Sequence, residues 1–267
     1  MQAEQSQPAE SLVSAPSPSR DWPPSAPRLL LGALIGSALG FAVLQTLYPI
    51  YVVPPELANL PDPPPTAAVE KLEAALRAVD LKNFSIVFSA IGLLLGASYA
   101  LCAFGLRCPR RLIMTSVLGA VSCVAGALIC NSIISKMRSS GGDDMLLFGF
   151  TLDILKQTIL SQACLWGLTG LGIGIGLAPS IKAALTAGIS GLVGGMLSAM
   201  LYVVGVAFFL PIVGGYHAFP VTPTQQIAWL AFNACTIGLT IALGTGERAR
   251  KADSERSVPA GVTSTAT

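Results

Sequence analysis

The residues of this chain that could carry acid–base or nucleophilic chemistry lie outside its long apolar stretches. No Asp, Glu, Lys, Arg or His falls in the middle of such a stretch, and the single histidine, His217, lies in a short connection. Ionisable residues inside apolar stretches usually mark proton relays, ion sites and coupled transport. The sequence therefore counts against a proton-driven transporter or pump. It predicts no catalytic, cofactor-binding or metal-binding residue.

Among the polar residues inside the apolar stretches, Asn233 lies nearest the middle of its stretch. Its amide must find a hydrogen-bond partner on a neighbouring helix. Two interpretations remain open, a bond of about 1 kcal/mol that holds two helices together, or a contact to a substrate. We expect the first. The tryptophans, Trp22, Trp166 and Trp229, are too scattered along the sequence to define a site.

A four-residue stretch, Gly188-Ile189-Ser190-Gly191, is similar to the Gly-x-Ser-Gly pattern around the nucleophile of rhomboid proteases. A serine nucleophile needs an activating base within hydrogen-bond reach, and in rhomboids this base is a histidine inside a later span. Here the last apolar stretch has no histidine. We therefore do not infer protease activity from the resemblance.

The elements that carry these residues are predicted to be membrane-spanning helices. Charged residues make up 11% of the chain, whereas soluble domains carry about 25%. An uncharged run of 18 or more apolar residues can cross a ~30 Å hydrocarbon core as a helix. The sequence predicts an all-α membrane bundle with six spans, at about 28–48, 84–106, 112–135, 158–178, 182–210 and 225–245. We expect the over-long fifth span to tilt or break near Gly205 or Pro211.

The remaining segments are predicted to be tails and loops around a transmembrane domain of residues 28–246. Residues 1–27 are rich in Pro and Ser, and they and residues 247–267 are predicted to be disordered cytoplasmic tails. The outer loop 49–83 begins with prolines. It continues with residues 67–81, in which apolar residues recur at three- and four-residue steps. This spacing predicts a short amphipathic helix on the membrane surface or on the bundle.

Basic residues near the span ends predict the orientation. Ten lie on the side of the N-terminus and six on the other side, and the short turn Leu106–Arg111 contributes three arginines. The positive-inside rule then places both termini in the cytoplasm. The absence of a targeting tract makes a bacterial inner (plasma) membrane the default. Arg107, Arg110 and Arg111 could also contact anionic lipid headgroups, but setting the topology is the commoner role of such residues.

Small residues recur at four-residue spacing in the predicted spans. The second span of each successive pair carries such a motif followed by a basic residue, as in Gly92/Gly96 and Arg107. This predicts three tandem Gly-rich hairpins, with a coincidence of glycine-rich helices as the alternative. Glycine at i and i+4 lets helix backbones approach closely. The predicted packing residues are Gly32, Gly36, Gly40, Gly92, Gly96, Gly170, Gly174, Gly188, Gly191, Gly195 and Gly238.

Two functions fit these features. The leading one is a non-catalytic structural or interaction protein without a cofactor. Its expected partners are the lipid bilayer and a second copy or another membrane protein, and the net charge of +2 gives no reason to expect nucleic acid. The alternative is a channel or uniporter for a small neutral or hydrophobic solute. A polar cavity beside Asn233 would favour the alternative, and a bundle closed by Gly, Ala and Leu contacts would contradict it.

Overall fold

The computed structural model describes residues 22–58, 65–140, 152–209, 220 and 222–257. These residues form helices α1 (Ala26–Leu47), α2 (Pro55–Ala58), α3 (Thr66–Phe104), α4 (Pro109–Ser140), α5 (Leu152–Leu177), α6 (Ile181–Phe209) and α7 (Pro223–Ser257). A short 3-10 turn, Gly105–Arg107, connects α3 to α4. His217, residues 1–21 and residues 258–267 lie outside the described residues.

Six of these helices are long and apolar enough to cross a membrane, namely α1, α3, α4, α5, α6 and α7. Each coincides with one of the six spans that the sequence predicts, because a continuous apolar run has no other way to satisfy its backbone in lipid. The described part of the chain is therefore an all-helical, multi-pass membrane bundle.

The six long helices form a closed ring. Along it, α1 packs against α3, followed by α4, α5, α6 and α7, and α7 packs back against α1. Neighbours run antiparallel, as α1 and α3 show: Gly32 faces Ser98, whereas Gly40, further along α1, faces Ile91. Each helix thus buries two flanks against its neighbours and turns a third face outward.

Large side chains fill the inside of the ring. Phe88, Tyr99, Trp166 and Trp229 are all 2% exposed or less. The outward faces carry apolar residues instead, for example Leu185, which is 61% exposed on α6. The most apolar window of α5 is 67% buried and that of α6 only 33%, so α5 is the helix most enclosed by its neighbours.

The structure differs from the sequence prediction in the segment before the second span. Residues 67–81 are helical, but they are the first part of α3, which runs without interruption from Thr66 to Phe104. No proline or glycine occurs between Thr66 and Gly92, so nothing breaks the helix where the membrane surface was expected. The segment is an extension of the span and not a separate surface helix.

An expected break in α6 and the end of α7 are the other points of comparison with the prediction. Helix α6 continues through Gly205 to Phe209 without a break, and Pro211 lies outside the described residues. Helix α7 continues past the predicted span to Ser257, into the segment predicted to be a disordered tail. The sequence after Gly246 is rich in Glu, Arg, Ala and Lys, which are good helix formers.

Candidate functional site

Five side chains from three helices meet inside the ring and form what we call the buried polar centre: Gln162, Trp166, Ser198, Trp229 and Asn233. Each is 5% exposed or less. Gln162 and Trp166 are four residues apart on α5, and Trp229 and Asn233 are four apart on α7, so each pair projects from one helix face. Trp166 lies at the middle of the candidate span Leu155–Leu177.

Hydrogen bonds connect the polar atoms of this centre, two of them across helices and one within α7. The Ser198 hydroxyl donates to Oδ1 of Asn233 at 2.7 Å, and Nδ2 of Asn233 donates to the Trp229 carbonyl at 2.7 Å. The Trp229 indole N–H donates to Oε1 of Gln162 at 3.2 Å. Asn233, the residue singled out from the sequence, therefore has partners within the bundle at both its oxygen and its nitrogen.

Aromatic rings close the space around these bonds. Trp166 and Trp229 meet edge to face with ring centroids 5.0 Å apart, and Phe88 meets Trp229 in the same manner at 6.4 Å. The two tryptophans, too scattered in sequence to suggest a site, are thus neighbours. Each lies four residues from an amide side chain, and this repeated spacing could have revealed them. The indole N–H of Trp166 is buried and has no hydrogen-bond partner among the described residues.

Helices α5 and α6 approach each other closely beside this centre, at Gly170 and Gly191. A Cβ built on either glycine would lie 2.6 Å from the carbonyl carbon of the other and would overlap its carbonyl oxygen. One helical turn along α5, Gly174 meets Ala187 in the same way, and in the other direction Gly195 meets the Trp166 backbone. Only glycine fits where two backbones are this close.

Helices α3 and α4 make a second contact of this kind. A Cβ on Gly92 would lie 2.8 Å from the carbonyl carbon of Gly119, and one on Gly96 would lie 2.9 Å from that of Thr115. The close contacts thus join helices that are consecutive in the chain: α3 and α4 are connected by the short turn at Gly105, and α5 and α6 by the one at Pro179. The predicted hairpins pair the helices differently, first with second and third with fourth, and this grouping stays a prediction.

The sequence Gly170-Leu-Gly-Ile-Gly-Ile-Gly176 places glycines on two faces of α5. Gly170 and Gly174 face α6, whereas Gly172 and Gly176 face α4: their Cβ atoms would lie 2.6 Å from the Leu118 carbonyl oxygen and 2.5 Å from Thr115 Cα. The alternation follows from helix geometry, since residues two apart point about 200° away from each other. Gly172 and Gly176 were not among the predicted packing residues.

All the predicted packing glycines are buried, but they differ in what they face. Gly32, Gly92, Gly96, Gly170, Gly174, Gly191 and Gly195 lie closest to backbone atoms of a neighbouring helix, whereas Gly36, Gly40, Gly188 and Gly238 lie closest to side chains. Side chains can rotate away and backbone cannot. The second group therefore leaves room for a larger residue more readily than the first.

A further polar residue, missed in the sequence, fixes the chain after α1. Asn83 is 2% exposed. Its Oδ1 accepts the backbone N–H groups of Ile50 at 3.1 Å and Tyr51 at 2.9 Å, and its Nδ2 donates to the Tyr51 carbonyl at 2.9 Å. Lys82 lies 5.4 Å from the centroid of the Tyr51 ring. The amide thus ties the segment after α1 to the middle of α3.

Ser190, the candidate nucleophile of the rhomboid-like stretch, packs against α7. A Cβ on Gly244 would overlap its hydroxyl, so Ser190 occupies a helix contact. Comparison with known proteins finds no matching family model, no similar curated protein and no similar solved structure. The fold and the site together identify an integral membrane protein with six apolar helices, and they assign it to no family.

Proposed function

We propose that this chain is a non-catalytic membrane protein with a structural or interaction-mediating role, packed through its small-residue contacts. One observation carries the proposal: the centre of the ring is occupied by Trp166, Trp229 and Phe88, with Trp229 in contact with the other two rings. A solute path along the ring axis would need this space. The surface that remains for interaction is the outside of the bundle.

The state of Asn233 supports the same conclusion. It is 0% exposed, and both its hydrogen bonds end on other groups of the bundle. An amide that binds a passing solute has to exchange such bonds, whereas an amide that joins helices keeps them. We therefore assign Asn233 to helix association, a role worth about 1 kcal/mol in membranes.

A solute pathway is the second candidate, and the observation in its favour is the indole N–H of Trp166, buried without a partner among the described residues. An unpartnered donor costs about 1–3 kcal/mol, and a polar solute could offset this. One donor does not make a path, however, because a solute has to be carried from site to site.

Flux measurements separate the two candidates. Vesicles that contain the purified protein are mixed with glycerol or urea, and their volume is followed by light scattering against protein-free vesicles. We expect no increase in flux for the wild type. Trp229→Ala, which removes the ring at the centre, should increase leakage, and the matched variant Phe232→Ala on the outward face of α7, where Phe232 is 41% exposed, should not. Solute flux through the wild type would overturn the proposal.

The interaction role needs its own test. Cross-linking in native membranes should recover a larger species that contains a second copy or another membrane protein. Recovery of the monomer alone would contradict an interaction role and would leave the result on flux untouched. A purely structural role predicts instead that the membrane changes when the chain is deleted.

We also propose that the end of the bundle at which α1 begins, which we call the basic end, faces the cytoplasm. The charges of Arg28, Arg107, Arg110, Arg111 and Lys182 support this assignment. A cysteine in place of the exposed Arg110, in a chain without the native cysteines, should react with an impermeant maleimide in inverted vesicles. Reaction in right-side-out vesicles alone would reverse the orientation.

A further inference from the structure

A cleft of about 370 Å³ opens at the basic end, between the start of α1 and the end of α3. It is lined by Arg28, Leu101, Cys102, Ala103, Phe104, Gly105 and Arg107. Arg28 belongs to the first turn of α1, and Arg107 ends the 3-10 turn after α3. Gly105, at φ +64°, lets the chain turn sharply here, and no described atom lies within 4 Å of the position of its missing Cβ. The turn thus leaves the cleft open.

The arginines around this cleft are poorly compensated. Nη1 of Arg28 donates to the Ala103 carbonyl at 3.4 Å. The Arg111 guanidinium lies 4.9 Å from the centroid of Phe104, one wall of the cleft, and its Nη1 is buried without a hydrogen-bond partner among the described residues. A buried cationic donor without an acceptor is costly. Arg111 does not itself line the cleft, so an anion there would stabilise it through its charge and not through a hydrogen bond.

The helix ends at the cleft act in opposite directions, since the last turn of α3 lines it with the partial negative charge of a helix C-terminus, whereas two other helices begin here. Helices α1 and α4 both begin at the basic end, and neither has an acidic residue in its first turn. A helix N-terminus carries a partial positive charge, which a nearby arginine raises and a nearby anion offsets. Glu247 is the one acidic residue among the described side chains at this end of the bundle. The excess of arginine side chains over acidic ones at this end therefore favours a bound anion.

The surroundings of the cleft favour a lipid as the source of this anion. Leu101 lines the cleft and is 44% exposed, and Leu106 in the turn and Ile113 on α4 are 78% and 61% exposed. These exposed apolar side chains of α3, the turn and α4 are where acyl chains would contact the protein. We propose that the cleft binds the phosphate of an anionic membrane lipid, with Arg28 and Arg107 as its ligands. This inference does not depend on the proposed function.

Lipid binding to the purified full-length chain tests the proposal. The protein in a neutral detergent is titrated with phosphatidylglycerol, with phosphatidylcholine and with inorganic phosphate, and bound lipid is counted by native mass spectrometry. We expect saturable binding of phosphatidylglycerol. A membrane charge contact of about 1 kcal/mol corresponds to roughly fivefold in affinity, so Arg28→Gln and Arg107→Gln should each weaken binding by about that factor.

Arg110→Gln is the matched control, because Arg110 is exposed at the same end and does not line the cleft. It should weaken binding less than about twofold. Equal loss in all three variants would show diffuse attraction and overturn the site. Equal binding of phosphatidylcholine would show that the anionic charge is not recognised. Inorganic phosphate that binds as tightly as the lipid would reassign the cleft to a free anion. Arg107 is exposed, so its variant tests the site even where Arg28→Gln fails to fold.

Discussion

The contact between Gly170 and Gly191 allows a prediction whose size follows from the geometry. In Gly170→Ala the new methyl group would lie 2.6 Å from the Gly191 carbonyl carbon, and ordinary van der Waals contact begins at 3.4 Å. The two backbones must therefore separate by at least about 0.8 Å, the difference between these distances. The obstacle is backbone, so no rotation of a side chain relieves it.

The free energy of unfolding should fall for this reason. Overpacking of a filled core costs about 1–3 kcal/mol, and alanine regains up to about 1 kcal/mol as the better helix former. We expect Gly170→Ala to lose about 1–2 kcal/mol net. Gly205→Ala on α6 is the control, because no described atom lies within 4 Å of its missing Cβ. It should be as stable as the wild type or slightly more stable.

Reversible unfolding in mixed micelles with increasing dodecyl sulfate measures these differences. The fluorescence of the buried Trp166 and Trp229 reports the transition. Gly191→Ala should resemble Gly170→Ala, and the double variant should lose less than the sum of the two, since the first methyl group already opens the gap that the second one needs. If Gly170→Ala proved as stable as Gly205→Ala, the close approach of α5 and α6 would be refuted.

Three further predictions concern the turn, the loop and the polar centre. Gly105→Ala should lower the free energy of unfolding by about 1–2 kcal/mol although the new methyl group has space, because φ +64° is unfavourable for alanine. The same unfolding assay measures the loss, and a variant as stable as the wild type would contradict a strained turn. Asn83→Ala should raise amide hydrogen exchange at Ile50 and Tyr51, whose N–H groups lose their acceptor; unchanged exchange would contradict this tether. Ser198→Ala and Asn233→Ala should show a coupling of about 0.6 kcal/mol in a double-mutant cycle, and a coupling near zero would mean that their bond contributes nothing.

Hydropathy predicted the spans because the constraint that decides them is local. A run of apolar residues has to be helical in lipid whatever its neighbours are. Helix α4 ends five residues late and α5 begins six residues early, and α1 and α6 begin and end within two residues of their predicted limits. Helices α3 and α7 extend beyond them because hydropathy marks where a span leaves the membrane, not where a helix ends. The helix ends where a breaker occurs, and α3 begins directly after Pro65.

The polar centre shows what a single sequence could not supply. The four-residue steps from Gln162 to Trp166 and from Trp229 to Asn233 place each pair on one face, which the sequence does show. Whether these faces meet depends on how α5 and α7 rotate within the ring. That rotation is set by where backbones can approach most closely, as at Gly170. Pairing between helices is thus a property of the whole ring and not of any one segment.

The two glycine faces of α5 lead to a final prediction about a double variant. For Gly170 and Gly191, which share one contact, we expect less than the sum of the single losses, and for Gly170 and Gly172 we expect the opposite deviation. Gly170→Ala pushes α5 away from α6 and toward α4, where Gly172 already lies against the Leu118 carbonyl. Gly172→Ala pushes α5 the other way. Because the ring is closed and neither displacement can relieve the other, the double variant should lose at least the sum of the two single losses in the unfolding assay. A smaller loss would show that α5 moves out of the ring along a common direction, and that its position between α4 and α6 is not fixed from both sides.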